Sequence, residues 1–167
     1  MFLKYLIIAV LCFIPAFSVS ASEKAVVKKI SDGDTITVLS GGSTIKIRLI
    51  GIDAPESRQN QKALKDSNRS GNDLESILAQ GKQATVFLKS VLKKGDTVSL
   101  EFDTVRHDKY GRTLAYVYLS DGRMLNDLII SSGYASPMTI PPNVKYKDLF
   151  LKSYQNARDK KKGLWAE

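Results

Sequence analysis

The feature that most constrains this chain is an alternation of period two on either side of a glycine pair. In "DTITVLS", Ile36 and Val38 share one face, and in "TIKIRLIGI" Ile45, Ile47 and Leu49 share another. A period of two belongs to half-buried strands. "GGS" (Gly41 to Ser43) turns the chain between the two runs. With the apolar-rich "KAVVKKI" (Lys24 to Ile30) before them, they predict a three-stranded meander. Downstream, Ala84, Phe87, Leu88, Val91 and Leu92 recur at helical spacing and Gly95 ends the pattern. "DTVSLEF" (Asp96 to Phe102) and "RTLAYVYLS" (Arg112 to Ser120) predict two more strands. "DGRMLNDLIISSGYA" gives a turn, a short helix and a stop at Gly133. Tyr146, Leu149, Phe150, Ser153, Tyr154 and Ala157 form the stripe of a last helix, closed by Gly163, with Trp165 packing back. That aromatic stripe reads as core. The polar stretch Ser57 to Ser76 shows no clear period and is expected to be a loop, either a mobile surface loop or a lid over substrate. Three strands, a helix, two strands and two helices match an α+β chain built on a five-stranded OB-type barrel with three α-helices.

The first 21 residues stand apart. Lys4 is their only charge, Tyr5 to Phe17 is an apolar run, and "SVSA" (Ser18 to Ala21) ends in small residues. This is the pattern of an export signal cleaved after Ala21, leaving a single domain over 22–167. The apolar run is short of the roughly 20 residues of a membrane span. Bulky Leu11 before Cys12 argues against a lipid attachment site. Cleavage removes the one cysteine, so packing rather than disulfides must stabilise a secreted or periplasmic protein. It also changes 25 basic residues to 24 against 17 acidic ones, a net charge of +7. A basic exported domain suits a polyanionic partner: nucleic acid, anionic lipid or wall polymer.

Against that positive background, the acids cluster. "DGDT" places Asp32 and Asp34 at the start of one strand, and "RLIGIDAPES" places Asp53 and Glu56 just after the strand paired with it. Carboxylates converging at neighbouring strand ends need a cation between them or a shared proton. The spacing is not that of an EF-hand, since with Asp32 as position 1 no glutamate stands at position 12. Pro55 stiffens the backbone and can turn the Ala54 carbonyl toward the same point. Carboxylates plus a carbonyl suit a hard cation such as Ca2+.

Arg48 lies mid-strand among apolar neighbours and needs an anionic partner: Asp34, Asp53, Glu56 or a bound phosphate. "HDKYGR" (His107 to Arg112) reads as a solvated hairpin or as a phosphate clamp with Arg112 as its fork. His107 is the only histidine, which excludes two-histidine mechanisms and argues against a histidine-rich zinc site. It is expected to be a surface loop residue.

Taken together, "DGDT", "RLIGIDAPE", "DKYGR" followed by "LAY", and the terminal "GLW" resemble the staphylococcal nuclease (thermonuclease) family over roughly Lys24 to Trp165. The resemblance implies a calcium-dependent, sugar-nonspecific nuclease that takes DNA and RNA as substrates and leaves 3′-phosphates. It implies metal ligation by Asp34, Asp53 and the Ala54 carbonyl, where the type member has threonine, with Asp32 nearby as a supporting acid. Glu56 matches the general base, Arg48 and Arg112 the arginines on the phosphate, and Lys109 and Tyr110 the contacts to a terminal phosphate. Met138 and Ile140 stand where the type member carries base-stacking rings, and Pro142 aligns with a proline that is cis in the family. No stable protein partner is implied, and a monomer is expected. Two other readings compete. One is a noncatalytic OB module that only binds nucleic acid, which would not need the acids. The other is a surface protein that binds anionic polymer or lipid through charge alone.

Overall fold

A computed structural model describes residues 22–71 and 73–166; the expected export signal lies outside them. The chain forms β1 (Glu23–Asp32), β2 (Thr35–Ser40), β3 (Ser43–Leu49) and the short β4 (Ile52–Asp53). Helices α1 (Gln61–Ser70) and α2 (Leu74–Val91) follow. Then come β5 (Thr97–Glu101), β6 (Thr113–Tyr118), α3 (Leu125–Ser131), β7 (Ser136–Pro137), α4 (Lys147–Asp159) and a 3-10 turn, Gly163–Trp165.

The barrel is closed in the order β1-β2-β3-β6-β5. All its pairings are antiparallel except β3 with β6, where Arg48 lies opposite Leu114. Closure removes every exposed edge. The predicted alternation explains the filling: Ile36, Val38, Ile47 and Leu49 are buried, joined by Val98, Leu100, Ala115 and Val117 from the other side. β1 wraps round the barrel with register shifts between Val27 and Lys29 and between Ile30 and Asp32. The second shift re-aims the end of β1, where Asp32 sits.

Outside the barrel, β4 and β7 form their own small sheet, with Asp53 opposite Ser136. Phe150 of α4 is buried and, with Tyr146, packs around Tyr116. Trp165 meets Tyr154 edge-on at 5.6 Å, so the end of the chain does pack back. The Pro141–Pro142 peptide is cis. No helix among the described residues is long and apolar enough to cross a membrane.

Two expectations need correction. The stretch Ser57 to Ser76 is not a continuous loop. It contains all of α1 and the start of α2, so the described residues hold four α-helices rather than three. The signals for α1 were its caps, not its pattern. The Asn60 side chain accepts the Ala63 N–H at its start, and Gly71 adopts φ +74° at its end. Only Ala63 is buried in this helix, so no apolar stripe marks it. The second correction is Leu149, placed in the core stripe but 42% exposed; Phe150 takes the inward position.

Candidate nuclease site

The acids meet because three strand ends meet. Asp34 immediately precedes β2, and its backbone carbonyl accepts the Leu49 N–H at the end of β3 (3.0 Å). The chain then turns at Gly51 into β4, which delivers Asp53 beside it. Asp34 is buried, and its carboxylate takes three donors. Thr35 Oγ1 donates to Oδ1 at 2.8 Å. The Ala54 N–H donates to Oδ2 at 3.1 Å and Arg48 approaches the same oxygen at 3.1 Å.

Arg48 is the hub. Strand alternation turns it away from the interior side chains Ile47 and Leu49 and toward the acids. One terminal nitrogen bridges Asp34 Oδ2 and Asp53 Oδ1 at 3.1 and 3.0 Å. The other donates to the carbonyls of Leu49 and Ile52 at 3.0 and 2.8 Å. The anionic partners expected for a buried arginine are therefore both aspartates at once.

Glu56 sits at the foot of α1. Asn60 donates to its Oε2 at 2.7 Å and Lys62 lies 3.4 Å from Oε1. Its backbone is pressed against α2, where Gly81 leaves no room for a side chain: a Cβ there would stand 2.1 Å from the Glu56 carbonyl oxygen. Asp32 accepts from the Gly33 N–H at 3.0 Å and the Thr85 hydroxyl at 3.3 Å. Burial, with Glu56 and Asp34 close by, raises the Asp32 carboxyl above its ordinary range. Burial also raises Asp53, against the opposing pull of Lys62 and Arg48. Both acids stand above their usual range chiefly because the fold takes them out of water.

On the far wall, Asp108 braces Arg112. Its Oδ2 takes Arg112 Nε at 2.6 Å, and its Oδ1 takes the backbone N–H groups of Tyr110 and Arg112. Burial opposes this, but those bonds win and hold the Asp108 carboxyl below its ordinary value. One cleft of about 520 Å³ brings together Asp32, Asp34, Asp53, Glu56, Arg48 and Arg112, with Lys46, Arg58 and Lys62 added. Lys109 and Tyr110 do not line it. They stand on the exposed turn and line an adjoining apolar groove, together with Arg48, Arg112, Met138, Ile140 and Pro142. Tyr110 is 72% exposed, and Lys109 lies 5.1 Å from its ring centroid. His107 is exposed, as expected of a loop residue.

Sequence reasoning missed Lys62, Asn60, Asp108 and Gly81. Lys62 and Asp66 are one helical turn apart, and Asp108 and Arg112 are four residues apart, so a charge pairing was visible for each. Gly81 gave no signal beyond a glycine inside a helix.

The donor chemistry fits a hard cation: the Asp34 and Asp53 carboxylates and the Ala54 carbonyl offer oxygen only. Among the described residues, no three His, Cys, Asp or Glu side chains already converge as a metal cage. The reason is local, because Arg48 and Lys62 stand between the acids.

The class so defined is a closed OB-type barrel that gathers acids and arginines into one cleft at its strand ends. The comparisons fix the family. The profile described as "Staphylococcal nuclease homologue" matches residues 46–167. The chain is 36% identical over 143 residues to a thermonuclease from Staphylococcus intermedius, covering 86% of this chain and 76% of that one. It is 33% identical over 138 residues to the thermonuclease of Staphylococcus hyicus, covering 83% and 73%. It also matches endonuclease YhcR of Bacillus subtilis at 32% identity, over 90% of this chain but 12% of that protein. The chain belongs to the staphylococcal nuclease family.

Proposed function

We propose that the protein is a calcium-dependent nuclease that hydrolyses phosphodiester bonds in DNA and RNA and leaves 3′-phosphate ends. One observation carries this reading: Asp34, Asp53, Glu56, Arg48 and Arg112 line a single cleft. A module that only binds nucleic acid has no need of buried carboxylates, which repel its ligand.

In this reading Asp34, Asp53 and the Ala54 carbonyl hold the metal, and Asp32 adds negative charge behind them. A cation held there would supply positive charge to offset the charge that builds on the phosphate. Glu56, fixed by Asn60, takes a proton from the attacking water. Arg48 and Arg112 then meet the charge that builds on the phosphate oxygens. Asp108 aims Arg112 by binding its Nε, leaving the terminal nitrogens for phosphate. Cleavage of the P–O5′ bond puts the phosphate on the 3′ side. Lys109 and Tyr110, which line the adjoining groove, meet a terminal phosphate. Met138 and Ile140 offer that groove an aliphatic surface for a base, in place of the stacking worth about 1–3 kcal/mol per base on aromatic rings. The same reading has the leader removed after Ala21 and the domain working as an exported monomer.

The test is cleavage of end-labelled single-stranded DNA by the purified protein in excess calcium and in excess chelator. Cleavage that disappears with chelator and leaves 3′-phosphate ends is expected. Salt-sensitive binding with no cleavage in either condition would replace the nuclease reading with a noncatalytic binder.

A further inference from the structure

Lys62 occupies a position the chemistry above does not use. Its ammonium lies 3.1 Å from the Ala54 carbonyl oxygen, 3.4 Å from Asp53 Oδ1, 3.4 Å from Glu56 Oε1 and 3.3 Å from Asp66 Oδ2. All four neighbours are oxygens. They come from the β4 segment, from the residues after it and from α1 itself. This is how a small cation is held, with charge supplied by carboxylates and one direction closed by a backbone carbonyl.

Two of these oxygens, on Asp53 and Ala54, belong to the donor set assigned above to the metal. An ammonium seated between these oxygens takes up the space and the negative charge that a divalent ion would use. Calcium holds its oxygens at about 2.3–2.6 Å. A calcium ion on the oxygens of Asp53 and Ala54 would therefore face the Lys62 ammonium across the same atoms, and the two like charges repel. Resting on the metal reading, we propose that Lys62 is a tethered competitor of the metal, which fills the cation position in the metal-free protein and withdraws when metal binds.

The helix provides the means of withdrawal. Asp66 lies one turn further along α1, and the lysine side chain is 35% exposed, so its flexible stem has a path toward solvent. Moving outward, the ammonium gives up Asp53 and Ala54 and retains Asp66. The arrangement also explains why a helix that buries only Ala63 lies over the site. Its inner face is satisfied by carboxylates instead of by apolar packing. In the metal-free protein the lysine relieves the mutual repulsion of Asp53 and Glu56. The cost is a weaker affinity for metal.

The test is calorimetric titration of the purified protein with calcium chloride, without nucleic acid, for wild type, Lys62→Met and Lys62→Gln. Glutamine keeps a polar side chain of similar reach should methionine disturb folding. Both variants are expected to bind calcium about tenfold more tightly, equivalent to about 1.4 kcal/mol. Their melting temperatures should fall below wild type in chelator and match it in saturating calcium. If wild type binds calcium and both variants bind it equally or more weakly, Lys62 is not a competitor, and the metal reading stands without it. Unchanged calcium affinity, with weaker binding in a parallel titration with single-stranded DNA, would make Lys62 a phosphate contact and overturn the proposal. Absence of calcium binding in all three proteins would remove the competitor and the metal reading together.

Discussion

Gly81→Ala separates two opposing effects in one methyl group. Gly81 lies inside α2, where alanine should stabilise the helix by about 1 kcal/mol. Its new Cβ would meet the Glu56 carbonyl oxygen at 2.1 Å, the Glu56 carbonyl carbon at 2.2 Å and the Ser57 nitrogen at 2.5 Å. Contacts begin to be ordinary at 3.4 Å, so helix and loop must part by more than 1 Å. All three atoms are backbone, and no side chain can swing aside. Overpacking of this kind costs about 1–3 kcal/mol or more, which outweighs the propensity gain. With the cost at the upper end of that range, a net loss of about 2 kcal/mol is expected in denaturant melts. Because the displaced backbone carries Glu56, turnover should also fall about 100-fold, the usual effect of misplacing a reacting group by 1 Å. Lys82→Ala, at the exposed neighbouring position, is the control and should change neither quantity. A Gly81→Ala protein as stable as wild type would refute the packing argument, and one that is destabilised but fully active would show that Glu56 tolerates displacement and refute its role as base.

Four further outcomes follow from the same geometry. Glu56→Gln should lower kcat about 100–1000-fold with little change in substrate binding, measured by single-turnover cleavage beside a binding titration. Full activity in saturating calcium would remove Glu56 as the base. Arg48→Lys keeps the charge but cannot bridge two aspartates and two carbonyls at once, so kcat should drop about 100-fold or more and the melting temperature should fall as well. Asp34→Asn should weaken calcium affinity at least tenfold by calorimetry while leaving the circular dichroism spectrum intact. The last outcome concerns acid stability. Burial works to raise the Glu101 carboxyl, but hydrogen bonds from Lys145, Tyr118 and Tyr146 outweigh it and hold it below its ordinary value. A depressed folded value gives stability that is complete above the unfolded value and lost as pH falls through the folded one. Lys145→Met should therefore move the acid-unfolding midpoint to higher pH, and an unmoved midpoint would discount that network.

The sequence alone carried the barrel. Alternation at Ile36, Val38, Ile47 and Leu49 is a local signal, because in a strand the residue's own position decides which face it takes. It also carried the acids and arginines, which stand next to strand ends whose pairing the alternation already implied. Proximity of Asp34 to Asp53 follows once β2 pairs with β3. The tertiary structure alone decided what surrounds them. Helix α1 was illegible as a pattern because its inner face meets carboxylates and not a core, so no apolar period was ever needed. Lys62 gains its meaning only from Asp53 and Ala54, which approach it from a different segment. Gly81 is fixed by the Glu56 backbone lying against α2, a contact across 25 positions of sequence. Local periodicity reports which side of an element is buried. It says nothing of what presses on the other side, and at this site those contacts set charge, clearance and access.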